Sequence, residues 1–123
     1  MENQTSSLLD NRVKYSNNMQ AGEEIDNILN IDYYSIKKAA MALRSLNNKL
    51  RQQVIKTIDE NKKITVTQLY IKLRLEQSVA SQHLAILRKA GIVSTERDGK
   101  FIFYTVNFPR IKAINEYVKN LVQ

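Results

Sequence analysis

Residues Gln77 to Val93 read QSVASQHLAILRKAGIV. Set Ser78 at zero and advance about 100° per residue: Ser81, Gln82, Ala85 and Lys89 gather within about 60° of it. Val79, Ala80, His83, Leu84, Leu87 and Ala90 fall on the opposite side. The spacing predicts an amphipathic helix from about Gln77 to Ala90, stopped by Gly91, which tolerates the left-handed conformation that ends many helices. The inner stripe is an ordinary core face. The outer stripe carries short hydrogen-bonding side chains where a solvated helix usually carries Glu and Lys.

The flanks give this helix a setting. Upstream, ITVTQLYIKLRL (64–75) places Gln68 three residues after Thr65, the spacing of a capping box, and so predicts a short helix with Leu69 and Leu73 inward. RLEQ (74–77) joins the two, a helix-turn-helix arrangement. Downstream, IVSTERDGKFIFYTV (92–106) holds two β-rich runs about Asp98-Gly99, a hairpin signal expected to form a type I′ turn with positive φ at both residues. NFPRIKAINEYVKNLVQ (107–123) predicts a closing helix, capped by Asn107, with Pro109 in its first turn and Ile111, Ile114, Val118 and Leu121 as its apolar stripe. Before the pair, Leu50, Val54, Ile55 and Ile58 mark another helix. Ile25, Ile28, Leu29, Tyr33, Ile36, Ala39, Ala40, Leu43 and Leu46 mark one or two more.

The fold class expected is mainly α with one small hairpin, a winged helix-turn-helix in the order α-α-α-α-β-β-α. Residues 1–24 contain ten Asn, Gln, Ser or Thr and read as a disordered or weakly ordered polar tail, leaving 25–123 as the single domain.

Charge divides along the chain. Residues 1–30 hold five acids and two bases, and residues 31–123 hold 17 bases and 7 acids, so net charges of −3 and +10 make up the overall +7. A compact basic domain points to a polyanionic partner. The outer stripe fits a major groove. Gln bonds adenine in a bidentate way, Ser serves several bases, and Ser and Ala let the backbone approach. Ser78, Ser81 and Gln82 are therefore candidate base readers, with Lys89 at the far end of the same face. Arg97 and Lys100 flank the hairpin turn as candidate phosphate contacts.

Other chemistry lacks its residues. The absence of Cys excludes disulfides, thiolate metal sites and a Cys nucleophile. His83 is the only histidine, and it falls on the inner side of the wheel, where a packed, hydrogen-bonded role fits better than metal ligation. There is no Gly-rich phosphate loop, and the adjacent Asp59 and Glu60 point apart on a helix. The expectation is of no enzyme, no cofactor and no metal site. With no apolar run of about 18 residues and no apolar leader, no membrane association and a cytoplasmic location are expected.

The run Ser81-x-His83-Leu84-x-x-Leu87-Arg88-x-Ala90-Gly91-Ile92-Val93, followed by a charged turn and FIFYTV, resembles the ArsR/SmtB family of winged-helix repressors, and the likeness extends over about Leu43 to Asn107. The resemblance implies a homodimer through the first and last helices, with Ile36, Ala40 and Leu43 pairing with Ile111, Ile114, Val118 and Leu121. It implies base-reading positions at Gln77, Ser78, Ser81 and Gln82 and a wing carrying Arg97 and Lys100. It implies a bacterial repressor on a pseudo-palindromic site in double-stranded DNA. The chain departs from the family's metal sensors: Thr65 and Thr67 stand in place of the Cys-x-Cys pair, and the last helix lacks the Asp and His ligands. No response to arsenite, zinc, cadmium or oxidants is therefore expected. Control is left to the protein's own abundance or to an unknown organic effector in a gap that Tyr33, Tyr34 and Tyr117 could line, though ordinary interface packing is the preferred reading of those tyrosines. Glu76 stands where relatives have a Ser or Thr cap. A reading from another class is a winged helix serving as a protein–protein adaptor, which the same small side chains would suit.

Overall fold

The structure, a computed structural model, describes residues 29–123. The polar tail expected over 1–24, and Ile25 and Ile28, lie outside the described residues. The chain divides into two units between residues 39 and 40, and the second spans 40–123. Helix α1 (Tyr33–Leu46) begins in the first and runs into the second. The carboxylate of Asp32 starts it, accepting from the Ser35 N–H at 3.0 Å and the Ser35 hydroxyl at 2.7 Å. Those bonds, the hydroxyl's first, hold this carboxyl below its ordinary range.

The second unit continues with α2 (Lys49–Asn61), α3 (Val66–Leu73), α4 (Gln77–Lys89), the strands β1 (Val93–Asp98) and β2 (Phe101–Val106), and α5 (Phe108–Val122). The described residues thus hold five helices and one antiparallel hairpin in the expected order. Asn48 caps α2 by accepting from the Arg51 N–H at 2.9 Å. Thr65 and Gln68 form both bonds of the capping box: Thr65 Oγ1 accepts from the Gln68 N–H and Gln68 Oε1 from the Thr65 N–H. Gly91, at φ +78°, ends α4. Its N–H donates to the Arg88 carbonyl and that of Ile92 to Leu87, both at 2.9 Å, so the last carbonyls of the helix are paired.

Val54, Ile58, Ile64, Leu69, Leu84, Leu87, Ala90, Ile92 and Val93 form the core, with Leu73, Tyr104, Val106, Ile111 and Ile114 packed on its edge. Helices α2 to α5 thus each turn apolar residues towards this core.

Three local features were not predicted. The hairpin turn is shifted by one residue. Asp98 pairs with Phe101 in the ladder, so the central residues are Gly99 and Lys100, and only Gly99 has positive φ, at +64°. Glycine first with a single positive φ is the requirement of a type II′ turn, not the expected type I′. Asp98 does not need left-handed backbone, because it extends the strand instead. Second, Ile64 bridges Tyr104 through both backbone bonds, N–H to carbonyl at 3.2 and 2.8 Å, and so ties the α2–α3 connection to the wing. The chain reaches that bridge by a tight turn: Lys62 sits at φ 68°, ψ −53°, and the Lys63 N–H donates to the Asn61 carbonyl at 2.7 Å, the strained γ-turn geometry. Third, α3 ends on Arg74 in the left-handed region at φ 57°, ψ 47°, a place that glycine usually takes.

Candidate nucleic-acid interface

Core contacts orient α4. Ala80, Leu84 and Leu87 are at most 1% exposed, which fixes the inner face. Gln77, Ser78, Ser81, Gln82, Ala85 and Lys89 are all exposed on the other. Not one of these residues makes a side-chain hydrogen bond to a described residue. Glu76, at the N-cap, makes no capping bond with its side chain either. The first N–H groups of the helix are thus left to solvent or to an anion, which the positive end of the helix dipole favours. At the other end, Arg88 and Lys89 occupy the last turn, where cations suit the dipole.

The wing carries both predicted cations. Arg97 and Lys100 are exposed. The Arg97 guanidinium folds over its own turn, donating to the Gly99 carbonyl at 3.3 Å, and the Lys100 ammonium lies 5.5 Å from the centroid of the Phe101 ring. Two further cations went unnoticed in the sequence. Lys63 reaches the wing from the α2–α3 connection, 3.4 Å from Glu96 and 4.7 Å from the Phe103 centroid; with Glu96 it forms the one side-chain ion pair among the described residues. Arg74 is exposed in the turn between α3 and α4. The backbone bridge at Ile64 is what brings Lys63 to the wing, and no local pattern announces a single bridge.

His83 is half-buried on the flank of α4. Its Nδ1 lies 3.2 Å from the Arg51 guanidinium. Burial, and then the charge of Arg51, hold the imidazole below its ordinary pKa. Among the described residues, no three His, Cys, Asp or Glu side chains come together as metal ligands, and no helix is long and apolar enough to cross a membrane.

The residues expected to pair two copies are divided by the structure. Ile111 and Ile114 are half-buried and pack on their own core. Val118 is half-buried, and Leu121 is 63% exposed beside the exposed Tyr117 and Val122. On α1, Ile36 is exposed while Ala40 and Leu43 are half-buried. Tyr33 and Tyr34 are exposed too.

Comparison with known proteins bears on the family and the fold. A family model described as bacterial regulatory protein, arsR family, matches residues 48–95, from the cap of α2 into the wing. The transcriptional activator HlyU of Vibrio cholerae is 36% identical over 84 residues, covering 68% of this chain and 77% of that protein. The transcriptional repressor PagR of Bacillus anthracis is 31% identical over 84 residues, covering 68% and 84%. The crystal structure of PagR superposes with a TM-score of 0.58 at 29% identity, over 71% of this chain and 99% of that one. An ArsR-like regulator from Rhodococcus sp. RHA1 shares the fold with a TM-score of 0.64 at 15% identity, over 71% and 81%.

Proposed function

The chain belongs to the bacterial arsR family of regulatory proteins and is a DNA-binding transcriptional regulator; from that premise we propose that it acts as a homodimeric repressor occupying a pseudo-palindromic operator. One observation carries the reading. The face of α4 opposite the core is exposed, makes no side-chain hydrogen bond to a described residue and is built from Gln77, Ser78, Ser81, Gln82, Ala85 and Lys89. The N-terminal four read base edges in the major groove, and Lys89 meets the backbone at the far end. Arg97 and Lys100 on the wing contact phosphate, which positions the protein without reading sequence. Lys63 adds to the same surface.

Dimerisation follows from α1 and α5. Leu121, Val122 and Tyr117 leave an apolar end on α5 that a single copy does not cover, and Val118 adjoins it. Because Ile111 and Ile114 already serve their own core, the pairing rests mainly on Val118 and Leu121, joined by Ile36, Ala40 and Leu43 of α1. A two-fold axis there sets two recognition helices about 34–36 Å apart, one DNA turn. The relatives named above include both an activator and a repressor. Repression is preferred because occupying a promoter requires nothing beyond the DNA-binding surface and the dimer.

Selection from a pool of random DNA duplexes tests the proposal. The expected result is one enriched sequence with two-fold symmetry, bound with an affinity that falls steeply as salt rises. Failure to enrich any sequence, with binding insensitive to salt, transfers the surface to a protein partner. Val118→Asp checks the dimer: by sedimentation it should give a monomer that no longer binds the selected duplex tightly. A monomeric variant binding that duplex normally would remove the dimer from the mechanism.

A further inference from the structure

Arg51 stands in the first turn of α2 and is only 9% exposed. Among the described residues no carboxylate faces it. Its guanidinium instead spans three neutral acceptors on two other helices. Nε donates to the Ser45 carbonyl at 2.7 Å, one terminal nitrogen donates to the Arg44 carbonyl at 3.2 Å, and the other lies 3.2 Å from His83 Nδ1. The carbonyls belong to the last turn of α1, whose negative dipole end suits a cation. Ser45, 2% exposed, donates to the Ala42 carbonyl in the same turn. Gln52 Nε2 donates to the Leu46 carbonyl, so the first turn of α2 closes the end of α1.

This arrangement is not the cheapest for stability. A cation in the first turn of α2 opposes that helix's own dipole, and a buried charge without a counter-ion costs more than an apolar side chain of similar size. It does provide geometry: a planar fork links the end of α1 to one chosen atom on α4. Arginine only donates, so His83 Nδ1 must accept and the ring proton must lie on Nε2. Protonating the ring removes that acceptor and sets two cations face to face. Among the described residues it is the Arg51 guanidinium, 3.2 Å from Nδ1, whose charge adds to burial in disfavouring that protonation.

We infer that Arg51 is a positioning residue for DNA binding, fixing the angle of the recognition helix by bonding the neutral His83 ring to the last carbonyls of α1. This rests on the reading of α4 as the DNA-reading helix. His83 lies six residues from Gln77, or about 9 Å along the axis. A tilt of about 10° about that point moves the base-reading end by about 1.5 Å, beyond the roughly 0.5 Å within which directional contacts must be held. The link therefore acts on discrimination between sequences more than on attraction to DNA in general.

His83 is the only histidine, so between about pH 7.5 and 5.5 it is the one side chain with an ordinary pKa in the window. The test measures wild type, His83→Asn, His83→Leu and Arg51→Lys on two probes: the duplex selected above and a random-sequence duplex of equal length. Asn keeps an acceptor near Nδ1 without titrating, and Leu keeps bulk without an acceptor. Expected for wild type is a several-fold loss of preference for the selected duplex as the pH falls, with His83→Asn close to wild type at high pH and flat below it. His83→Leu should lose about tenfold in preference at all pH values, the size of one lost directional contact, while circular dichroism shows it folded. Arg51→Lys should behave like His83→Leu if it folds; the two His83 variants decide the matter if it does not. A wild-type pH profile that coincides with that of His83→Asn, or full preference in folded His83→Leu, overturns the inference. Absence of any duplex preference in wild type would instead overturn the DNA-reading assignment itself.

Discussion

Replacing Leu84 by alanine and, separately, Gln82 by alanine sets the two faces of one helix against each other. The residues are two positions apart on α4, and their burial differs completely: Leu84 is 1% exposed in the core cluster, while Gln82 is exposed and makes no side-chain hydrogen bond to a described residue. Truncating Leu84 removes three buried carbons and leaves a cavity in the cluster that also holds Ile58, Leu69 and Leu87. Such changes cost about 3–5 kcal/mol where the surroundings cannot collapse, a large share of the 5–15 kcal/mol that stabilises a typical domain. Gln82→Ala removes no packing and slightly improves helix propensity, so its effect on stability should stay within about 0.5 kcal/mol. Its effect on function should be the reverse: about 1–3 kcal/mol of preference for the selected duplex over random DNA, or roughly five- to 150-fold. Urea denaturation followed by circular dichroism reads the first quantity, and fluorescence anisotropy on the two duplexes reads the second. A Gln82→Ala protein destabilised by more than about 1 kcal/mol would show that this face packs against something. Leu84→Ala at under about 1 kcal/mol would mean the core is not where Leu84 lies.

Three further outcomes are expected. Thr65→Ala should destabilise by about 1–2 kcal/mol in urea denaturation, because it removes one bond of a reciprocal pair and frees the partner in a helix of only eight residues. Arg97→Ala and Lys100→Ala should weaken binding to the selected and random duplexes alike, each flattening the slope of log affinity against log salt by about one unit. Because folding lowers the pKa of His83, the unfolded chain takes up the proton first. Stability should thus be fully present above about pH 6.5 and decline as the pH falls towards the folded value, and denaturation of His83→Asn over about pH 7.5–5.5 should lack that decline.

The parts of this fold that the sequence announces are those set by local periodicity and by residues with few conformational options. Thr65 and Gln68 predict a capping box, and the two bonds form. The wheel of α4 separates Leu84 and Leu87 from Ser81 and Gln82, as burial does. Gly91 marks a helix end because no other residue takes positive φ so readily. The same logic fails where a residue adopts backbone it does not prefer. Nothing in the letters of Lys62 or Arg74 signals positive φ, so the tight turn before Ile64 and the sharp end of α3 escape prediction. The Asp-Gly pair signals a hairpin but not its register, because register depends on how far the ladder extends across the strands. Long-range pairing also hid Lys63 from the list of wing cations.

Arg51 shows the limit most clearly. In the sequence it is one of 19 bases, on a helix marked only by its apolar positions Leu50, Val54, Ile55 and Ile58. Its role appears only when residues 44, 45 and 83 are brought to one point, since each of its three acceptors lies on another helix. A solvated arginine would need nothing from His83, and a core histidine would need nothing from a cation. Their meeting makes a polar contact the joint between the end of α1 and the reading helix. α1 is also the helix proposed to pair two copies. The bond that sets how α4 enters the groove is thus anchored on the element that sets the spacing between the two reading helices. Angle and spacing need to be fixed together for a two-fold site to be read, and one guanidinium, held against the preference of its own helix, connects them.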